Sequence, residues 1–264
     1  HVFSTIGSHG SLTVEQALMN SCNPYMIHLA LEMGNSRFAY YQSLFGFGKI
    51  TGIDLPGETT GIVYGDRMTT IDAACNSFGQ TINVNMMQMM AAYCSIINGG
   101  MLYQPHIVKR IESANGEVVK EYKANLVRQT ITASTSKLLR RYLKNTVEEG
   151  TAKKAGVTGY SVAGKTGTAQ KGDRKDNKWI ISFIGHAPAE NPKFAIYVVI
   201  DEPYGTTGTS GSSADVLTLT HNILEKLLPY MNVYKDASDE YEDTSSSPDE
   251  LTVDGIPAGT ASSN

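Results

Sequence analysis

The sequence predicts an α+β fold with an antiparallel sheet. Helical patterns dominate the first third of the chain, strand patterns occupy most of the last third, and one helical pattern follows them. Helices and strands that are segregated along a chain in this way are typical of α+β proteins, whereas a parallel α/β fold alternates them. No repeat at the spacing of solenoid proteins is visible.

Four helices are predicted in the first hundred residues. Residues 13–16, Thr-Val-Glu-Gln, form a capping box that opens a short helix. Asn23 is predicted to cap a second helix with Pro24 at its first position, and Asn35 to cap a third. Asn85 opens a methionine-rich helix that ends at a pair of glycines.

The middle of the chain combines loops, a hairpin and a further helix. Residues 46–68 are rich in Gly, Thr and Asp and are predicted to be a long exposed connection. Alternating segments at 106–111 and 118–122 flank Asn115-Gly116, a strong hairpin turn. Residues 134–149 have the pattern of a charged amphipathic helix.

The last third is predicted to hold three strands and a closing helix. The strands are expected at 160–168, 179–186 and 194–200, and the last two are expected to form an antiparallel hairpin. The helix is expected over 213–228, where Pro229 would end it. The residues predicted to line its buried face are Val216, Leu219, Ile223 and Leu227.

Charge is distributed unevenly between the body of the chain and its end. Residues 235–264 hold eight acidic residues and one base, so the rest of this chain of net charge −4 is slightly basic. We therefore expect two parts: a partial domain over 1–234 and an acidic, disordered tail over 235–264. The body has no dense basic stripe, so a nucleic-acid partner is not indicated.

Composition also bounds the chemistry. The three cysteines form no Cys-x-x-Cys pair, so neither a disulfide framework nor a zinc site is expected, and no metal or other cofactor is indicated. No run of 18 apolar residues is present, so no membrane span is expected in this chain. The first residues lack the basic start and apolar stretch of a signal peptide.

The most informative motif is Gly-Lys-Thr-Gly-Thr-Ala-Gln at 164–170. The residues before it favour a strand, so Lys165 would present a fixed cation on a strand whose threonines add hydroxyl donors. Gly167 leaves the backbone open to a ligand. This combination suits a carboxylate-bearing peptide or an acyl group that lies along the strand.

With Ser21-Cys22-Asn23, this Lys-Thr-Gly motif makes the chain resemble the C-terminal part of the transpeptidase domain of class B penicillin-binding proteins. The resemblance runs from about residue 8 to 228 and includes several further segments in the family's order. One departure is Asn85-Met86, where the family usually has Thr-Pro. The further segments are 9–24, 51–58, 78–80, 88–93, 98–100 and 150–152.

The resemblance implies a penicillin-binding protein and serine β-lactamase-like fold. The part present would be incomplete: the helical region, the last three antiparallel strands and the C-terminal helix. The implied function is peptidoglycan cross-linking through a serine acyl-enzyme formed with D-Ala-D-Ala stem peptides, which β-lactams mimic. The implied location is the extracytoplasmic face of the bacterial membrane, with the anchor outside this chain and division, elongation or sporulation proteins as partners.

The resemblance also assigns roles to individual residues. Ser21 would shuttle a proton, Asn23 would hold the substrate amide, and Lys165 would supply positive potential and a link to Ser21. Thr168 would bind the substrate carboxylate and provide one backbone donor of the oxyanion hole. The implied catalytic residues are Ser21, Asn23 and Lys165, and the implied substrate-binding residues are Thr166, Gly167 and Thr168.

The nucleophilic Ser-x-x-Lys is the element that does not match. In the family it precedes Ser-x-Asn, but the one Ser-x-x-Lys here, residues 134–137, lies between the other two motifs. Ser134 is expected to cap an exposed helix instead. We therefore expect this chain to lack the nucleophile and to be inactive by itself.

Two other functional classes remain open on the sequence. Residues 159–166 fit the phosphate-loop pattern G-x-x-x-x-G-K-[ST], and the acidic end of residues 194–202 imitates the magnesium-binding strand of such NTPases. The missing nucleophile is also consistent with a non-catalytic binding or scaffold module. Taken alone, Ser21 and Asn23 could simply end one helix and cap the next.

Overall fold

The computed structural model describes residues 10–172, 178–203 and 212–237. Among these residues, no helix is long and apolar enough to cross a bilayer. Single 3₁₀ turns lie at Gly65–Arg67 and Lys153–Ala155. The helices are α1 Val14–Met19, α2 Asn23–Met33, α3 Asn35–Leu44, α4 Thr70–Asn76, α5 Met86–Ile97, α6 Ala133–Glu148 and α7 Ala214–Tyr230. The strands are β1 Met101–Gln104, β2 Arg110–Glu112, β3 Val118–Glu121, β4 Asn125–Gln129, β5 Ala163–Lys171, β6 Lys178–Ala187 and β7 Phe194–Asp201.

The central sheet has three antiparallel strands in the order β5-β6-β7. Gly164 pairs with Gly185 and Thr168 with Ile181, while Phe183 pairs with Val198 on the other side of β6. The predicted α+β class and the three antiparallel strands are therefore confirmed. The predicted hairpin at Asn115-Gly116 is also present as the β2–β3 pair, and β1 pairs with β4 in a second ribbon.

Helix α7 covers one face of this sheet and builds the main core with it. The predicted buried face of α7 is wrong in part, because Leu219 and Ile223 are 42% and 36% exposed. The helix carries two apolar stripes, and the one that packs includes Thr220, whose hydroxyl satisfies the carbonyl of Val216 at 2.7 Å. The residues of α7 that are buried are Val216, Leu217, Thr220, Leu224 and Leu228.

Two predicted helix caps form as expected. Thr13 and Gln16 make a reciprocal capping box at α1, and Asn85 makes the same arrangement with Gln88 at α5. In each case the cap side chain accepts from a backbone N–H that has no partner within its helix. The departure from the family at Asn85 therefore leaves the start of α5 intact.

Three other predicted caps are wrong by one or two residues. Asn23 is the first residue of α2, and the cap position belongs to Cys22. Asn35 begins α3 after Gly34, and its amide donates to the carbonyl of Met68 at 3.3 Å instead. At α6, Thr132 rather than Ser134 caps the helix, because its hydroxyl accepts from the N–H of Thr135.

The structure adds elements that the sequence patterns did not reveal. Helix α4 begins with a capping box between Thr69 and Asp72, within a stretch of chain too short to show helical periodicity. Strands β1 and β4 are also additional, and their register shifts between Leu102 and Tyr103. Helix α7 continues past Pro229 to Tyr230.

The first residues after Tyr234 are attached to the body. Backbone N–H groups of Asp236 and Ala237 donate to the carbonyl of Gly159, at 3.0 and 3.2 Å. The carboxylate of Asp236 accepts from the N–H of Ser161 at 2.7 Å and from its hydroxyl. The rest of the predicted disordered tail, from 238 to 264, lies outside the described residues.

Candidate active site

The Lys-Thr-Gly motif lies on β5, and its lysine reaches the Ser-x-Asn motif. The ammonium group of Lys165 donates to the hydroxyl oxygen of Ser21 at 2.6 Å and to the carbonyl of Thr166 at 3.0 Å. Ser21 and Lys165 are 144 residues apart in the chain. The structure therefore brings together two residues that were predicted to act together.

Burial changes the acid–base behaviour of this lysine. Desolvation lowers the pKa of Lys165 to about 8, because burial penalises the charged form. An ammonium group with that pKa is mostly charged at neutral pH and releases its proton under mildly alkaline conditions. Lys165 can therefore supply positive potential and also exchange a proton with a hydroxyl that contacts it.

The junction between α1 and α2 presents Ser21. The backbone of Ser21 has φ 52°, in the left-handed region, and its N–H donates to the carbonyl of Leu18 at 3.2 Å. Cys22 points into the core, while Ser21 and Asn23 on either side of it are exposed. This turn between two helices therefore leaves the Ser21 hydroxyl at the surface, where it contacts Lys165, and leaves Asn23 exposed two residues later.

Glycine at two positions of β5 has a steric cause. A Cβ atom at Gly164 would lie 2.3 Å from the ring of Phe183 and 2.6 Å from the carbonyl oxygen of Ile184. A Cβ atom at Gly167 would lie 2.6 Å from the hydroxyl of Ser182. The strand therefore packs closely on β6 at both positions.

The two threonines of the motif differ in surroundings. The hydroxyl of Thr166 lies 3.4 Å from the ammonium of Lys165 and 3.4 Å from the hydroxyl of Thr151. Thr168 is the exposed residue of the central part of β5. The Thr166 hydroxyl beside Lys165 and the exposed Thr168 two residues further along are suited to an anionic group of a ligand that lies along the strand.

Sequence analysis gave no role to the segment that joins these parts. Thr146 in α6 is fully buried and its hydroxyl donates to the carbonyl of Gly164. The N–H of Thr151 donates to the carbonyl of Met19 at 3.1 Å, two residues before Ser21. The family-like segment at 150–152 was the available signal, but only the fold shows what it contacts.

The Ser-x-x-Lys at 134–137 lies at the start of α6. The hydroxyl of Ser134 pairs with that of Thr132 at 2.9 Å, and Lys137 is exposed. The second serine, Ser136, is buried and donates to the carbonyl of Ile96 at 2.6 Å. These hydroxyls hold the N-terminal turn of α6.

The phosphate-loop interpretation of residues 159–166 is wrong. A phosphate loop needs a glycine-rich turn followed by a helix whose N-terminus faces the phosphates. Here Lys165 and Thr166 lie within β5, which continues to Lys171. Strands β6 and β7 are antiparallel, so a β-α-β crossover is also missing from this part of the sheet.

Two further features of the described residues bear on ligands. No cluster of three or more His, Cys, Asp or Glu side chains has the arrangement of a metal site there. An open cavity of about 80 Å³ lies between the end of α3, α5 and the β1–β4 ribbon. None of the predicted site residues lines it.

The family model for the penicillin-binding protein transpeptidase domain matches residues 4–225. Stage V sporulation protein D of Bacillus subtilis is 40% identical over 232 residues, which are 86% of this chain and 36% of that protein. Peptidoglycan D,D-transpeptidase FtsI of Escherichia coli K12 is 32% identical over 243 residues, or 90% of this chain and 39% of that protein. This chain therefore spans little more than a third of the length of these relatives.

Solved structures show the same similarity. Penicillin-binding protein 3 of Mycobacterium tuberculosis in its apo form superposes with a TM-score of 0.76 at 30% identity. The superposition covers 86% of this chain and 53% of that one. The same protein in complex with ampicillin gives a TM-score of 0.77 with the same coverage.

Proposed function

The chain belongs to the penicillin-binding protein transpeptidase family, and we propose that it forms part of a D,D-transpeptidase that cross-links peptidoglycan stem peptides through a serine acyl-enzyme. The observation that carries this proposal is the 2.6 Å contact between Lys165 and Ser21. It joins the family's last two motifs in one site.

In this proposal Ser21 and Lys165 move and stabilise charge. Lys165, with its pKa near 8, holds positive potential beside the reacting groups and exchanges a proton through the Ser21 hydroxyl. The ammonium group donates to Ser21, so the hydroxyl proton of Ser21 is left to pass to the leaving group. Asn23 would hold the amide of the stem peptide from the start of α2.

The Lys-Thr-Gly strand is proposed to bind the acyl donor. A peptide that ends in D-Ala-D-Ala would lie along β5, with its carboxylate at the hydroxyls of Thr166 and Thr168. Gly167 would leave room for the peptide backbone, and the N–H of Thr168 would donate to the oxyanion. A β-lactam carries a similarly placed carboxylate and acyl carbon, so it would occupy the same groups.

The nucleophile is not assigned to the Ser-x-x-Lys at 134–137. Ser134 and Ser136 are engaged in the first turn of α6, and neither is among the groups that contact Ser21 or Lys165. We infer that the 264 residues do not react with β-lactams by themselves. The full-length protein would supply the serine.

The names of the relatives indicate the setting. A sporulation protein and a peptidoglycan transpeptidase are both similar to this chain over most of its length. We propose that the full-length protein acts at the extracytoplasmic face of the bacterial membrane. Stem peptides would be its substrates, and the proteins of a division, elongation or sporulation complex its partners.

Labelling with a fluorescent penicillin tests the proposal. We expect the full-length protein to form a covalent adduct, and Asn23→Ala to slow its formation by roughly 10–100-fold through loss of substrate positioning. Asn20→Ala is the matched control, because Asn20 precedes Ser21 and its amide only caps α1 through the carbonyl of Gln16. A full-length protein that folds but binds no penicillin would point to the scaffold alternative.

The 264-residue chain provides the second arm of this experiment. We expect no mass increase after incubation with penicillin. An adduct on this chain that maps to Ser134 would show that the out-of-order motif is catalytic, which contradicts the proposal.

A further inference from the structure

Both halves of the Ser21–Lys165 pair contact the same piece of the fold. Helix α1, which leads to Ser21, packs on α6, and α6 packs on β5, which carries Lys165. The contacts come from the last turn of α6 and the residues just after it. We call Asn145, Thr146 and Thr151 the α6 bracket.

On the β5 side the bracket contacts the backbone next to Lys165. The hydroxyl of Thr146 donates to the carbonyl of Gly164, and it also lies 2.8 Å from the carbonyl oxygen of Leu143. The carbonyl of Gly164 and the N–H of Lys165 belong to one planar peptide unit. A hydrogen bond to that carbonyl therefore restrains the backbone at Lys165, and with it the position of the Lys165 side chain.

On the α1 side the bracket contacts both the first turn of the short helix α1, at Glu15, and its last residue, Met19, two residues before Ser21. The amide of Asn145 donates to the carboxylate of Glu15 at 2.5 Å, and the N–H of Thr151 donates to the carbonyl of Met19 at 3.1 Å. Gly150 lies so close that a Cβ atom there would be 2.9 Å from the Met19 carbonyl oxygen. The end of α1 is therefore seated directly on the end of α6.

We propose that the α6 bracket holds Ser21 and Lys165 at their contact distance, with Thr146 as the positioning residue on the lysine side and Asn145 as the one on the serine side. Thr151 touches both sides, because its hydroxyl also lies 3.4 Å from that of Thr166. The consequence for catalysis rests on the proposed function, but the geometry can be tested without any activity.

The first test measures the pKa of Lys165 in the 264-residue chain by NMR of carbon-labelled lysine side chains, with Lys165→Met to assign the signal. Thr146→Val removes the hydroxyl at nearly constant volume. If the bracket restrains β5, the lysine becomes less buried and its pKa rises from about 8 by about one unit. Thr146→Ser keeps the hydroxyl and should keep the pKa of Lys165 near that of the wild type.

Thr220→Val is the matched control for a merely structural effect. Thr220 is also fully buried in a helix, and its hydroxyl donates to the carbonyl of Val216 at 2.7 Å within α7. It should lower stability without moving the pKa of Lys165. An unchanged pKa in Thr146→Val, or an equal change in Thr220→Val, overturns the proposal for Thr146.

The second test removes the contact between Asn145 and Glu15 on the serine side. It tests the bracket proposal independently if Thr146→Val does not fold. In the full-length protein, Asn145→Ala should slow penicillin acylation about 10-fold, because misplacement of a reacting group is costly. Glu15→Ala combined with Asn145→Ala should be no slower than Glu15→Ala alone, which removes the Asn145 contact together with a 3.6 Å pair to Arg141. Lys144→Ala, which loses only a 3.4 Å surface pair with Glu148, should have the wild-type rate.

These outcomes separate the two proposals. If the wild-type full-length protein forms no adduct, the proposed function fails, and the NMR comparison still decides whether the bracket restrains Lys165. If acylation occurs but Asn145→Ala and Lys144→Ala have the same rate, Asn145 is not a positioning residue and the bracket proposal is wrong.

Discussion

The two outer strands of the central sheet, β5 and β7, differ in what they contact and in composition. Beyond its pairing with β6, β5 contacts α6 and, through Lys165, the Ser21 turn. Strand β7 likewise pairs with β6 alone among the strands that the structure describes, but it contacts α5 and α7 rather than α6. Its residues from 194 to 200 are all apolar and half-buried.

This difference is consistent with the proposed binding role of β5. Glycine and threonine at 164–168 are poor or moderate choices for filling a core, but they leave backbone and hydroxyl groups accessible. Contacts from α1 and α6 then fix the lysine among them. Strand β7 has β-branched and aromatic residues that suit packing, and it brings no charged side chain before Asp201.

The largest expected effect comes from removal of the β5 lysine. Lys165→Met in the full-length protein should slow penicillin acylation by about 10²–10⁴-fold, the usual range for a residue in acid–base catalysis. Lys171→Met is the control, since Lys171 lies on the same strand but forms exposed pairs with Asp201 and Glu202 at 2.8 and 2.9 Å. It should retain most of the rate, because such pairs contribute little.

Stopped-flow measurement of acylation checks this pair of variants. If Lys171→Met were as slow as Lys165→Met, the strand as a whole would be responsible, rather than the lysine that contacts Ser21.

The second largest effect is expected on stability, when alanine replaces either of two glycines of β5. Gly164→Ala should lower the free energy of unfolding by about 3 kcal/mol, because its Cβ would collide with the Phe183 ring and a backbone carbonyl. Gly167→Ala should cost less, since its Cβ meets only the hydroxyl of Ser182. Adding Ser182→Ala should relieve the second clash, which denaturant unfolding of the single and double variants would show.

A similar cost at both positions, or no relief from Ser182→Ala, would mean that backbone conformation rather than contact with β6 requires these glycines.

The sequence predicted the sheet well because its signals are local. The three strand patterns and the turn at Asn115-Gly116 are read from neighbouring residues, and all of them formed. Ser21 and Lys165 were paired only through the family resemblance, since nothing local relates residues 144 positions apart. The structure supplies the distance between them.

The predictions that were wrong depend on contacts between residues that are distant in the chain. On α7, Leu219 and Ile223 have the same helical spacing as the stripe that is buried, so only packing against the sheet decides between the two stripes. Asp236 was assigned to a tail by composition, yet its carboxylate binds Ser161 across 75 residues. Thr146 looked like any polar residue of an amphipathic helix until β5 was placed beside it.

The third effect is a pH dependence specific to β5. The pKa of Lys165 is lowered from 10.5 to about 8 in the folded chain by burial. Between these values the unfolded state binds more protons, so stability rises with pH over that window. Relative to Lys165→Met, the wild type should gain about 2 kcal/mol between pH 7.5 and 9.5.

Urea unfolding of the wild type and Lys165→Met at the two pH values measures this difference. Subtracting the two free energies of unfolding cancels the contribution of groups that titrate in both proteins. The difference between the wild type and Lys171→Met should stay flat over this window, because hydrogen bonds to Asp201 and Glu202 raise the pKa of Lys171 and its charge does not change there. A flat difference between wild type and Lys165→Met would mean that the lysine is solvated in the folded protein.

The smallest expected effect concerns the β7 edge in the 264-residue chain. An apolar strand with unpaired N–H and C=O groups on one side is a template for pairing with another chain. We expect weak, concentration-dependent dimerisation or aggregation by light scattering, with slower amide exchange at 195–200 as concentration rises. Val199→Lys should reduce this association, since a charge on an edge strand opposes pairing, whereas Val119→Lys on the exposed β3 should not. If the chain stays monomeric at high concentration while amides 195–200 exchange quickly, the edge is bare but harmless, and the contrast between the two edges lies in composition alone.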